Sequence, residues 1–255
     1  MNGPEPQLSP SPRRTGDAVA IPGDYQARAL HQGFVVQRFW HALKLDLIDR
    51  VLPPQAGARV LDVGCGSGVI AHHLAARAAH VDAVDANPSA IAYARAAYAN
   101  ANLHYHLGYV DALAFPDESF DQAYCLEVIE HIYEPQVRSL LSRLARLLKP
   151  GGTLLLTTPN YHSLWPLIEW ALDALQLAPR MQHEQHVFKL SRARLQALGR
   201  AAGLDQVRLG RFCGAAPFAS VISWRVAAAL NRLENRFGNP LGNLLFAVWR
   251  RAGAH

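Results

Sequence analysis

The sequence predicts an α/β fold: a mostly parallel sheet with helices on both faces, plus a helical insertion and a C-terminal helical segment. Three observations carry that reading. The run Val60-Leu61-Asp62-Val63 breaks into Gly64-Cys65-Gly66-Ser67-Gly68, an apolar strand ending in glycines at alternate positions. A second apolar run, Val81 to Val84, closes on Asp85 about one strand–turn–helix unit later. Strand and helix periodicities then alternate as far as residue 158, the pattern of βα units wound onto a parallel sheet.

The elements follow in order. Phe34, Val35, Phe39, Leu43, Leu47, Ile48 and Val51 repeat at helical spacing, and Pro53-Pro54 stops that helix. Strand 60–63 and the glycine turn lead to a helix near 67–77 and strand 81–84. Asn87-Pro88 opens a helix near 88–100, with a capping side chain followed by proline at the first helical position. A short strand near 103–107 leads to Asp111, and strand 121–126 follows the Pro116-Asp117 turn. A helix near 136–148 stops at Lys149-Pro150-Gly151-Gly152, and strand 153–158 comes next. Residues 161–182, with Trp165 and Trp170, read as an apolar insertion that caps a pocket or touches a membrane interface. In residues 211–255 two helical apolar patterns are expected. One runs from Val221 to Phe237 and the other from Leu241 to Trp249, broken by Gly238-Asn239-Pro240 and flanked by arginines. A basic amphipathic segment reads as membrane-surface binding. The alternatives are a helical pair covering the sheet or a homodimer contact. Residues 1–22, rich in proline and polar side chains, read as a disordered tail without a signal peptide, and residues 23–210 as the main domain.

Composition narrows the function. Half of the 255 residues are apolar, enough for one compact domain. The net charge of +5 comes without a Lys/Arg block interleaved with aromatics, so no nucleic-acid partner is expected. Cys65, Cys125 and Cys213 are far apart and odd in number, which excludes a disulfide framework and fits a reducing cytoplasm. A cytoplasmic protein is expected, with attachment to the inner face of a membrane as the variant the C-terminal segment suggests.

The loop speaks for a nucleoside ligand. Glycines let the backbone approach a ligand closely, and an acid at the tip of the second strand suits the paired hydroxyls of a ribose. The spacing is G-x-G-x-G directly after an acid, not the G-x-G-x-x-G of a dinucleotide site, and no Lys-Ser/Thr follows as in a P-loop. The D-x-G-x-G-x-G run resembles motif I of the class I S-adenosylmethionine-dependent methyltransferases. From about residue 38 to 207 the chain is similar to the family that includes the ubiquinone-biosynthesis O-methyltransferase. The matching pieces are Val60 to Gly68, Val84-Asp85, Phe120 to His131, Leu148 to Gly152, Thr157 to Asn160, and His186 to Ser191 with Leu195.

That resemblance implies a Rossmann-like class I methyltransferase sheet, S-adenosyl-L-methionine as cofactor, and roles for single residues. Gly64, Gly66 and Gly68 would form the turn under the cofactor, with Cys65 packed inside it and Asp62 orienting the loop. Asp85 would accept the ribose hydroxyls, Ala86 and Asn87 would flank the adenosine, and Asp111 beside Ala112 would face the adenine amine. Leu126 would touch the cofactor at the end of the fourth strand. Lys44 stands where the quinone enzymes carry an arginine toward the methionine carboxylate, a point charge in place of a bidentate fork; as a bare helix position it would be a solvated lysine. Glu127, Glu130 and His131 match the residues implicated there in holding a divalent ion such as Mg2+, a donor set that suits a hard or borderline cation. Related sequences also occur in metal-free members of the fold, where the first acid, here Glu127, orients the cofactor amine and the histidine, here His131, lines the pocket. Without metal, His131 is the expected general base, its ordinary pKa lying near neutrality. His162, His183 and His186 fall in the acceptor region and read as packing or surface residues, with His186 the one inside a shared family element.

The function expected is therefore methylation, on oxygen, of a small or lipid-linked acceptor that is quinone- or phenol-like or a cell-envelope or secondary metabolite. The alternatives are N- or C-methylation of a secondary or cell-envelope metabolite, a non-catalytic nucleoside-binding scaffold, and a dehydrogenase, which the glycine spacing disfavours.

Overall fold

A computed structural model describes residues 21–175 and 186–253. The chain begins with α1 (Tyr25–His31) and α2 (Val35–Val51), then alternates β1 (Arg59–Val63), α3 (Val69–Ala75), β2 (His80–Asp85), α4 (Pro88–Ala97) and β3 (Leu103–Leu107). It continues with β4 (Phe120–Leu126), a 3-10 turn (Ile129–His131), α5 (Glu134–Leu147), β5 (Leu148–Pro159), α6 (Trp165–Ala174), α7 (Arg192–Ala201) and β6 (Leu204–Phe212). The last elements are α8 (Ala216–Ala219), α9 (Trp224–Arg236) and β7 (Leu244–Arg251). The described strands form one sheet in the order β3-β2-β1-β4-β5-β7-β6, parallel except where β7 runs antiparallel to both neighbours.

Alternation along β1 divides the core. Val60 faces the cluster built on Leu47, Ile48 and Leu74, while Leu61 and Val63 face Leu141, Leu144 and Leu198. Helix α5 keeps its buried stripe (Val137, Leu141, Leu144, Ala145) at helical spacing. The cap at Asn87 is as the sequence suggests, its side chain accepting from the N–H groups of Ser89 and Ala90. Strand order reverses between β1 and β4, so the carboxyl ends of β1, β2 and β4 open onto a crevice.

The C-terminal segment corrects one expectation. Its first pattern is helix α9, but the run Leu244 to Trp249 is strand β7, buried along its apolar length between β5 and β6. A continuous apolar run has no period of its own, and here each residue is covered whichever face it points to. The main sheet therefore extends to Arg251 and does not stop near residue 210. The expected tail falls mostly on residues outside those described, as do residues 176–182 of the insertion and His183; residues 165–174 of that insertion are helical.

Candidate active site

The sheet's crevice widens into a cleft of about 1,440 Å³. Its first half is the glycine loop. The N–H groups of Gly64 and Cys65 both bond to Val84 O at the end of β2, folding the loop across the sheet edge. Gly64, Gly66 and Gly68 all sit at positive φ, 74°, 51° and 85°. A Cβ on Gly64 would lie 2.3 Å from Val128 Cγ2, so this glycine is required by close approach as well as by backbone angle. Asp85 holds the loop from the facing strand: one oxygen accepts from Gly66 N–H and the other from Asn87 N–H, each at 2.8 Å.

The predicted cofactor residues divide into two groups. Lys44, Gly64, Gly66, Asp85, Ala86, Asn87 and Asp111 line the cleft, and so does Glu127. Asp62, Cys65 and Leu126 are buried in the sheet and loop behind the cleft wall. Gly68 caps α3 in the left-handed conformation, where a Cβ would crowd Tyr105 and Ala94. Ala112 is exposed in the turn after Asp111, its N–H on Tyr109 O. Burial, reinforced by the charge of Asp85, pushes the Asp62 carboxyl up to about 8. Burial also raises Asp85, against the two N–H groups it accepts, and holds the Cys65 thiol protonated.

Lys44 is not the solvated helix lysine its position alone would suggest. It is buried, and its Nζ meets Glu127 Oε2 at 2.6 Å. Glu127 itself is held at φ 55°, and its Oε1 is buried with no hydrogen-bond partner among the described residues. An ammonium beside a carboxylate with a spare acceptor matches the two charges of an amino-acid group.

The pairing with Lys44 changes the candidate metal set. The expected trio was Glu127, Glu130 and His131. The structure instead gathers Glu130, His131 and His186, with one possible ligand atom from each lying within 4.8 Å of the others. Glu130 is fully buried; that burial raises its carboxyl to about 7, with nearby His186 pulling the other way. Thr158 Oγ1 donates to it at 3.3 Å. His131, at the end of the 3-10 turn, lines the cleft with its ring 5.0 Å from that of His186. His186 Nδ1 shares a 3.0 Å hydrogen bond with Tyr161 Oη. His186 is thus part of the site rather than a surface residue, whereas His162 is exposed.

Sequence reasoning found Lys44 but missed the rest of its wall. Gln37, Trp40 and His41 of α2 face the cleft beside Lys44. Their spacing of four and three or four is a polar and aromatic stripe beside the apolar one, and that was the available signal. Burial, then the Lys44 charge, holds His41 well below the usual histidine range, so it stays neutral. Residues 21–23 also cross the rim. Asn87 Nδ2 donates to Ile21 O at 2.9 Å, and Gly23 packs so tightly on Ser89 that a Cβ would sit 2.3 Å from its backbone.

The second half of the cleft is apolar. Trp40 and Trp165, with ring centroids 5.4 Å apart, line it with Leu140, Ile168 and Phe218. His131 and His186 line the same cleft, and the His186 ring lies 6.2 Å from that of Trp165.

Comparison with known proteins agrees with the geometry. A family model described as a methyltransferase domain matches residues 36–209. A ubiquinone biosynthesis O-methyltransferase of Hahella chejuensis is 36% identical over 170 residues, covering 64% of this chain and 69% of the relative. One from Xylella fastidiosa is 36% identical over 176 residues, covering 66% and 70%. An S-adenosylmethionine-dependent methyltransferase structure from Mesorhizobium loti shares the fold, with a TM-score of 0.60 at 20% identity over 83% of this chain and 98% of that one.

Proposed function

The chain belongs to the S-adenosylmethionine-dependent methyltransferases, and on that footing we propose that it methylates an oxygen of an apolar, aromatic acceptor, small or lipid-linked. The observation that carries the acceptor class is the Trp40–Trp165 slot beside His131. The names of the related O-methyltransferases support the same reading.

When bound, S-adenosylmethionine supplies a methyl group already activated by the sulfonium. The chain's own residues fit it. The glycine loop leaves room for close backbone approach, Asp85 would accept from the ribose hydroxyls, and Asp111 faces the rim where adenine would lie. Lys44 would hold the carboxylate of the amino-acid tail, and the unpartnered Oε1 of Glu127 would accept from its ammonium. The apolar second half excludes water and orients the acceptor toward the loop. His131 Nε2 or Nδ1 takes the hydroxyl proton, and buried His186, tied to Tyr161, keeps the His131 side of the cleft ordered.

A second reading has one observation of its own. The Glu130, His131 and His186 cluster could hold a divalent cation that lowers the acceptor's hydroxyl pKa.

The test is calorimetric titration with S-adenosylmethionine and S-adenosylhomocysteine, NAD serving as control, followed by turnover on catechols and lipid-linked phenols. Micromolar binding of both sulfur ligands with product methylated on oxygen is expected. Product methylated only on nitrogen or carbon would overturn the acceptor reading.

A further inference from the structure

Helix α9 presents an unusual outer face. Val226, Ala229 and Leu233 are exposed at helical spacing, and the stripe continues to Phe237 at the C-cap. Beside it runs a second row, Arg225, Arg232 and Arg236, also exposed and on the adjoining helical positions. None of the exposed residues on this helix is acidic. Its one acid, Glu234, turns away to accept the Ala215 N–H at 2.6 Å. The inner face is fixed: Trp224 packs edge-on against Phe39, with centroids 4.7 Å apart, and Asn231 Nδ2 reaches Asp46 at 3.3 Å.

The turn before α9 extends the face toward the cleft. Val221 and Ile222 are 69% and 78% exposed, and Phe218, which lines the cleft, is also exposed. Phe34, capping the start of α2, also lines the cleft and is exposed, and the Arg38 guanidinium lies 6.0 Å from the Trp224 ring. Apolar side chains at a cleft mouth, backed by a basic row, fit a surface that offers acyl chains and negative headgroups together.

We propose that α9 and the α8–α9 turn dock on an anionic lipid bilayer, with the cleft mouth turned toward it. No helix among the described residues is long and apolar enough to cross a membrane, so the face lies on the surface. A second copy fits less well: two such faces meeting about a two-fold axis would set arginine rows together with no acid between them. The assignment goes beyond the acceptor reading, because vesicle binding is measured without turnover.

The experiment is co-sedimentation of the full chain with vesicles of phosphatidylcholine alone or mixed with phosphatidylglycerol. Binding is expected only to the mixed vesicles, weakening as salt rises. Replacing all three arginines (Arg225→Gln, Arg232→Gln, Arg236→Gln) should weaken it on the order of a hundredfold, at about fivefold per arginine. Val221→Ser with Ile222→Ser should weaken it about tenfold at unchanged charge. S-adenosylhomocysteine affinity, measured on the same variants, should not change, which separates loss of the surface from loss of the fold. No binding to the mixed vesicles, binding equal on both vesicle types, or a concentration-dependent dimer abolished by these substitutions would each overturn the proposal.

Discussion

The Lys44–Glu127 pair makes an asymmetric prediction. Lys44 is 9% exposed in its side chain and Glu127 is 24%, with 2.6 Å between the charged atoms. Glu127→Gln leaves an ammonium out of water beside a neutral amide, and removing one partner of a buried pair costs about 3–5 kcal/mol. Lys44→Met leaves a carboxylate that water still reaches, so its cost should be smaller, about 1–2 kcal/mol. The double variant leaves neither charge stranded and should lie near the milder single variant, a non-additivity of about 3–5 kcal/mol, the whole cost of the harsher single variant. Denaturant unfolding of the cofactor-free protein would measure all three, read at constant slope. Calorimetry with S-adenosylhomocysteine then tests the role: each single variant should lose at least about tenfold in affinity, or about 1.4 kcal/mol. Equal costs for the two single variants, or costs that simply add in the double, would refute the argument that burial sets the asymmetry. Unchanged affinity would refute the placement of the amino-acid tail.

The remaining predictions probe the loop and the base. Asp62 is raised from 3.8 to about 8, chiefly by burial, so the folded state holds its proton more tightly than the unfolded state. Its stabilising contribution is full below pH 3.8 and lost as pH climbs through 8, and Asp62→Asn should flatten that part of the stability profile measured by denaturant titration. Gly64→Ala should cost about 2–4 kcal/mol, combining strain at positive φ with the Val128 overlap. Gly66→Ala should cost less, because the atoms nearest its added Cβ belong to the movable end of Gln26, which leaves the strain at positive φ as the main cost. Asp85→Ala should remove S-adenosylhomocysteine binding by more than tenfold and free two loop N–H groups, visible as faster amide exchange; unchanged affinity would end the ribose assignment. His131→Ala should lower turnover on a hydroxyl acceptor by about 10²–10⁴-fold. Turnover that persists in chelator supports His131 as base, whereas loss restored by added Mg2+ supports the Glu130–His131–His186 cation site.

What was legible in the sequence was local. The glycine turn, Asp62 before it and Asp85 after it fall within one strand–turn–helix–strand unit, so spacing alone places them at one sheet edge. The Asn87 cap and the α5 stripe are local in the same sense. The β7 strand was not legible, because its pairing partners are distant in the chain, from Phe212 and Leu204 on one side to Pro159 and Thr153 on the other, and nothing within Leu244–Trp249 distinguishes a buried strand from a buried helix. Glu127 was placed in the right region, but its ion pair with Lys44 was not legible. Only the packing of α2 against the end of β4 brings Lys44 to it, across 83 residues.

The same distinction explains why the cofactor is easier to read than the acceptor. The cofactor half rests on one βαβ unit whose geometry its own residues dictate. The proposed acceptor half is assembled from four separate stretches: Trp40 on α2, His131 and Leu140 around α5, Trp165 and Ile168 on α6, and Phe218 on α8. Each stretch satisfies its own helix or turn, and none carries a local rule that requires the others. His186 shows the consequence. In the chain it is one histidine among twelve, and it becomes a site residue only because the Phe188 N–H bonds to Glu130 O at 3.1 Å, drawing the segment onto the 3-10 turn beneath His131. Substitutions in the acceptor half can therefore change what is methylated while leaving the glycine loop and its ligand intact, and specificity should vary fastest where the cleft depends on these long-range contacts.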